Sequence, residues 1–130
     1  MSALSDYSEK LLLDWLMTSG AATRPTSWFV ALYTAAPSDS GGGTEVSTGG
    51  YTRKSVSFNA ASTPGGATSN SGLVTWTASG AAYGTITHVA IFDASTGGNM
   101  LWQGALTSSR TVNDGDTIQF AAGALTLTLA

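Results

Sequence analysis

The sequence predicts a mainly β protein, an antiparallel β-sandwich with one N-terminal α-helix. Three observations predict it. Apolar and polar residues alternate over short runs, the period of a strand with one covered face. These runs recur along the chain and are divided by turns rich in Gly, Ser and Thr. Helical periodicity appears only before Gly20. The 130 residues are read as a single domain, 1–130, with the helix at 5–20 and the sandwich over 26–130. That length suffices to bury about two-thirds of the unfolded chain's surface.

The helix has a start and a stop. Ser5 or Asp6 can cap it, and Asp6 with Glu9 has capping-box spacing. Tyr7, Leu11 and Trp15 recur every fourth residue, flanked by Leu12 and Leu16, so one apolar stripe runs along it. Gly20 ends it. The stripe serves equally for packing on the chain's own domain or against a neighbouring subunit.

Beyond Gly20 the period shortens to two. "TSWFVALYTA" reads as a strand over 26–35, with Trp28, Val30 and Leu32 on one face and Phe29, Ala31 and Tyr33 on the other. A strand apolar on both faces belongs in the middle of a sheet. A long Gly/Ser/Thr loop follows over 36–50, with a short strand at 44–46. "YTRKSVSFNA" alternates and predicts a half-buried strand over 51–60. Thr52, Lys54, Val56 and Phe58 share one face, while Arg53, Ser55 and Ser57 form the wet one. "ASTPGGATSNSG" reads as a second loop, 61–72. Strands are expected at 73–78, 84–93 and 99–106, and Val112, Ile118, Phe120, Leu125, Leu127 and Leu129 mark two more. Trp28 and Trp76 are expected in the core, whereas Trp102 can face either way.

Composition excludes several functions. Charged residues make up 10% of the chain, well below the roughly 25% of an average soluble domain. Net charge is −3 with only five Lys and Arg. These form no basic stripe, so nucleic-acid binding is not expected. There is no cysteine, hence no disulfide and no thiolate metal site. The acidic opening "MSALSDYSEK" is not read as a signal peptide. "LLLDWLM" is too short to span a bilayer, so no membrane association is expected.

The search for chemistry returns little. "NDGD", Asn113 to Asp116, places two carboxylates close together. However, the positions beyond Asp116 where a calcium loop needs oxygen ligands hold Ile118, Phe120 and Ala122. Asn, Asp and Gly are also the residues of a tight turn between strands, and the stretch reads as that turn. His88, the lone histidine, sits in phase with Ile86, Ala90 and Phe92 and reads as structural. No nucleophile elbow, Walker loop or dinucleotide fingerprint is present. The remaining acids, among them Glu9, Asp14, Asp39, Glu45 and Asp93, fall at helix positions, loops and strand ends, as caps and solubilising groups do. No catalytic residue, metal site or cofactor is assigned, and the chain is read as non-enzymatic.

The order of segments carries a resemblance. The strand "VALYTAAP", the stretch Glu-Val-Ser-x-Gly-Gly-Tyr-x-Arg from Glu45 to Arg53, "HVAIFDASTGGN" and "GDTIQFAAGALTLTL" together resemble a family of small tailed-bacteriophage virion proteins. These are described as tail-fibre or minor structural proteins, and the likeness runs from Ser5 to the end. The resemblance implies a structural protein located in the virion and assembled in the host cytoplasm. Its implied partners are other virion proteins, either the major capsid protein or tail proteins.

Within that class, small size and the lack of shaft or repeat point to a head-surface cement or decoration protein that works as a homo-oligomer. The alternative is a tail-fibre or baseplate-associated module. A second alternative is a carbohydrate-binding module, which needs an exposed aromatic platform, with Trp102 as its candidate. Tyr7, Leu11, Trp15 and Trp102 are the expected interface residues.

Overall fold

A computed structural model describes residues 2–129. Along the chain lie β1 (Ser2–Leu4), α1 (Asp6–Met17), β2 (Phe29–Ala35), β3 (Thr44–Glu45), β4 (Lys54–Ser55), β5 (Ala67–Ser69), β6 (Val74–Thr77), β7 (Gly84–Phe92), β8 (Met100–Val112), β9 (Thr117–Phe120) and β10 (Thr126–Thr128). Every strand pairing is antiparallel. The main sheet runs β1-β8-β7-β2-β3, with β4 also on β2; β10 pairs with β5 and β6 with β9.

Strand β2 sits inside the main sheet because its sequence demands cover on both sides. Val30 and Leu32 point into the larger core, and Ala31 and Tyr33 into a smaller cluster on the opposite face. The larger core lies between the main sheet and the small β6–β9 sheet. Ile86, Ile91 and Leu101 meet Val74, Trp76, Ile118 and Phe120 there, in the manner of a sandwich. Trp76 is 1% exposed. Its ring meets Phe120 edge-on at 5.9 Å, and its indole N–H donates to the Thr52 carbonyl at 2.9 Å, so the one polar atom it buries is satisfied. Trp28 packs at the border of this core, half-buried.

Four features depart from the alternation pattern. The 51–60 stretch contributes only Lys54–Ser55 to a ladder. Val56 and Phe58 do turn to the core, but Thr52 and Lys54 are exposed and Arg53 is drawn inward. The 61–72 loop contains β5 and, directly after it, Asn70, which is fully buried. The Asn70 amide donates to the carbonyls of Gly72 and Ala121, and its side-chain oxygen accepts from the Leu125 N–H at 2.9 Å. A polar side chain thus pins the route of two connections. Strand β8 continues well past Leu106. Register places Ile86 opposite Arg110 and His88 opposite Ala105, so Leu106 to Ser109 form extra, unpaired length in β8 opposite Thr87, with Leu106 still packed against the larger core. That slip moves Ile86 into the larger core while His88 pairs with Tyr33 on the other face. Finally, β1, not expected from its short sequence, covers the β8 edge at Trp102 to Gly104.

Asn113 to Asp116 form a turn, as the sequence indicates. Asp116 N–H donates to Asn113 O at 2.9 Å, and Asn113 N–H to the Asp116 carboxylate at 3.0 Å. The Asp114 carboxylate accepts from Gly80 N–H at 2.9 Å. Both carboxylates are therefore engaged by backbone donors. The turn carries the chain from the main sheet into the β6–β9 pair, with Gly115 alone taking a positive φ of 88°.

Candidate functional site

Two regions present chemistry outward: helix α1 and the face of the main sheet opposite the larger core. Ser5 caps α1. Its Oγ accepts from Ser8 N–H at 3.2 Å and donates to the Met100 carbonyl, while Ser5 N–H donates to Leu101 O at 3.0 Å. The helix start is thereby fixed to β8, and the cap is Ser5 rather than the Asp6–Glu9 pair. Only Ser8 of the helix is buried, with Leu11 and Leu12 half-buried.

The remaining apolar stripe is open. Tyr7 is 39% exposed, Trp15 67% and Met17 76%, and Leu13 and Leu16 are exposed with them. Packing on the home domain therefore partly covers Leu11 and Leu12 and leaves Tyr7, Trp15 and Leu16 of the stripe open. Of the expected interface residues, Tyr7 and Trp15 stand free and Leu11 is half-buried between them. Trp102 is half-buried against the larger core, at the edge of a cavity of about 570 Å³ between β8 and β10. It does not form an exposed platform.

On the opposite sheet face lies a cluster that alternation alone misplaces on a wet surface. The Arg53 guanidinium grips Glu45 at two points, Nε to Oε2 at 2.9 Å and Nη2 to Oε1 at 3.0 Å. Its Nη1 donates to the carbonyls of Ala94 and Gly97 at 3.0 and 2.8 Å. The guanidinium carbon lies 3.7 Å from the centre of the Phe92 ring. Tyr51 OH donates to Glu45 Oε2 at 2.7 Å and accepts from Leu32 N–H at 3.0 Å.

Burial by itself raises the Glu45 pKa. The hydrogen bonds from Arg53 and Tyr51, with the guanidinium charge, outweigh it and hold the carboxyl below its ordinary value. Burial lowers the Arg53 pKa, and Glu45 more than offsets that, so the guanidinium stays charged. Burial and the bond to Glu45 push the Tyr51 phenol far up, so it remains a donor. This network joins β3, the 46–53 turn, β2 and the 94–99 loop. It uses Glu45, Tyr51 and Arg53, three of the seven defined positions of the Glu-Val-Ser-x-Gly-Gly-Tyr-x-Arg stretch, and ties β3 to the neighbouring loops. The signal was present in the sequence as a spaced acid, phenol and guanidinium.

His88 is half-buried, and its Nδ1 lies 2.8 Å from Thr87 Oγ1. Among the described residues, no three His, Asp or Glu side chains are grouped to hold a metal ion. Among the described residues, no helix is long and apolar enough to cross a membrane.

A β-rich subunit with an outward apolar helix and a strand tied to the neighbouring loops by an ion pair has the build of a structural protein that functions by contact. It is a bacteriophage structural protein, and its place is in the virion. Residues 3–128 match the family model described as Gp80, Podophage GP4 fiber I protein gp80, and the chain belongs to that family. A search of the curated proteins found no match.

Proposed function

We propose that this protein is a non-enzymatic structural subunit of a phage tail fibre, joined to its neighbours through the exposed C-terminal part of α1. The observation that carries the reading is the run of exposed apolar side chains Leu13, Trp15, Leu16 and Met17 at the far end of a helix whose first turn is locked to β8. A single Trp buries about 150–250 Å² when covered, and a stable contact buries about 800 Å² per partner. Trp15 and its neighbours therefore make a substantial part of such an interface. Exposed apolar patches of this kind mark association sites. The fibre family supports a tail position over the head-surface cement role that small size suggested. Its partners are other virion proteins, and a homo-oligomer is the expected arrangement.

Immunogold electron microscopy on intact virions tests the placement. Gold confined to the tail is the expected result. Gold spread over the head would reinstate the cement reading and overturn the fibre one.

A further inference from the structure

We propose that the hollow above Tyr33 is a binding site for a neutral saccharide unit. The proposal goes beyond the structural role and does not depend on where the protein sits in the particle. The hollow measures about 520 Å³, within the range of small-molecule sites. It lies on the sheet face opposite the larger core, with Tyr33, Phe92 and Met100 at its base and Asp6, Tyr7, Asp39 and Asn99 around it.

Tyr33 is the observation that points to a ligand. The residue is 5% exposed, and among the described residues its hydroxyl has no hydrogen-bond partner. No buried side-chain oxygen or nitrogen lacks a partner, so the Tyr33 hydroxyl is the atom left open to the hollow. The half-buried Tyr51 and the buried Tyr83 both donate their hydroxyls inside the protein. Burial and the Glu45 charge raise the Tyr33 pKa, so the hydroxyl keeps its proton and remains a donor.

The surroundings select the ligand class. The one cation in the hollow, Arg53, is committed to Glu45, to the carbonyls of Ala94 and Gly97 and to the Phe92 ring. It has no charge to spare for an anion, and Asp6 and Asp39 repel one. Asp39 uses one carboxylate oxygen on the Gln103 amide at 3.0 Å, and no bond engages the other. Carboxylate oxygens that accept, a phenol that donates and a partly exposed Tyr7 ring suit hydroxyls that both donate and accept and a sugar's C–H face. The rim has room for such a ring to approach. A Cβ built on Gly41 or Gly42 meets nothing within 4 Å, and both glycines have positive φ.

The test is a two-dimensional amide NMR titration of the whole chain with glucose, galactose, N-acetylglucosamine and their disaccharides. Saturable shifts around Tyr33, Asp39 and Asn99 are expected. Tyr33→Phe keeps the ring and removes only a hydroxyl without a protein partner. It should leave the melting temperature unchanged and weaken binding about tenfold, the worth of one good hydrogen bond. Asp39→Asn should weaken it as well. Any of four results would overturn the site. One is no shift with any of these sugars at about 10 mM, where even millimolar affinity is visible. The others are binding unchanged in Tyr33→Phe, shifts centred on Trp102 instead, and calcium alone perturbing the hollow while the sugars do not.

Discussion

Arg53 and Glu45 meet as a fork on a fork, with two N–O distances of 2.9 and 3.0 Å, and the Arg53 side chain is only 8% exposed. The geometry matches the planar guanidinium to the carboxylate, a match that lysine cannot reproduce. Removing Arg53 leaves the half-buried Glu45 carboxylate with the Tyr51 hydroxyl as its one remaining donor and strips two loop carbonyls of theirs. Arg53→Ala is expected to cost about 3–5 kcal/mol, read as a lower urea midpoint. Arg53→Lys should recover only part of that loss, because one ammonium cannot fill both sites and the two loop carbonyls.

The same pair makes stability depend on pH. Folded Glu45 titrates below its ordinary value of 4.5. Between the two values the unfolded chain binds more protons, so stability rises with pH across that window. The contribution is complete above about 4.5 and is lost as pH falls through the folded value. Urea midpoints measured down through this range should drop, and the drop should be shallower in Glu45→Gln. Equal slopes for the two proteins would remove Glu45 as the cause.

Asn70 is fully buried, and its amide group holds the Gly72 and Ala121 carbonyls and the Leu125 N–H. Asn70→Leu strands all three. Of these the Leu125 bond is the buried one, and at about 1–3 kcal/mol for one buried group left unsatisfied the loss is expected to be about 1–3 kcal/mol. Calorimetric melting of the variant checks it.

The exposed half of α1 should behave in the opposite way. Trp15→Ser with Leu16→Ser removes nothing from the core, so isolated-chain stability should change by no more than about 0.5 kcal/mol. Association measured by sedimentation, and incorporation into particles, should fall sharply. A large loss of melting temperature without a change in association would mean that the stripe packs at home.

Deletion of the β1 pairing offers a further check on the sheet. β1 supplies the outer neighbour of Trp102, Gln103 and Gly104. Ala3→Pro removes a backbone donor and disfavours the strand. Faster hydrogen exchange at Gln103 and its neighbours is the expected outcome, with the β6–β9 pair unaffected.

The sequence by itself determined the class: strands, one leading helix, the two faces of β2, the turn at Asn113 to Asp116 and the burial of Trp76. Each of these is a local matter of period two, period four or turn chemistry, written in neighbouring residues. The family was legible too, through long ordered segments. Tertiary structure alone decided the rest. Arg53 alternates as a solvent-facing residue, yet it turns inward because Glu45 and the 94–99 loop offer it acceptors only once β3 lies beside β2. His88 and Ile86 share a parity but part company where the β7–β8 register shifts between them. Trp15 and Trp102 read alike as aromatic candidates, yet one stands in solvent and the other lines the core. Burial is a property of what folds against a side chain, and for these residues the decisive neighbours lie far away along the chain.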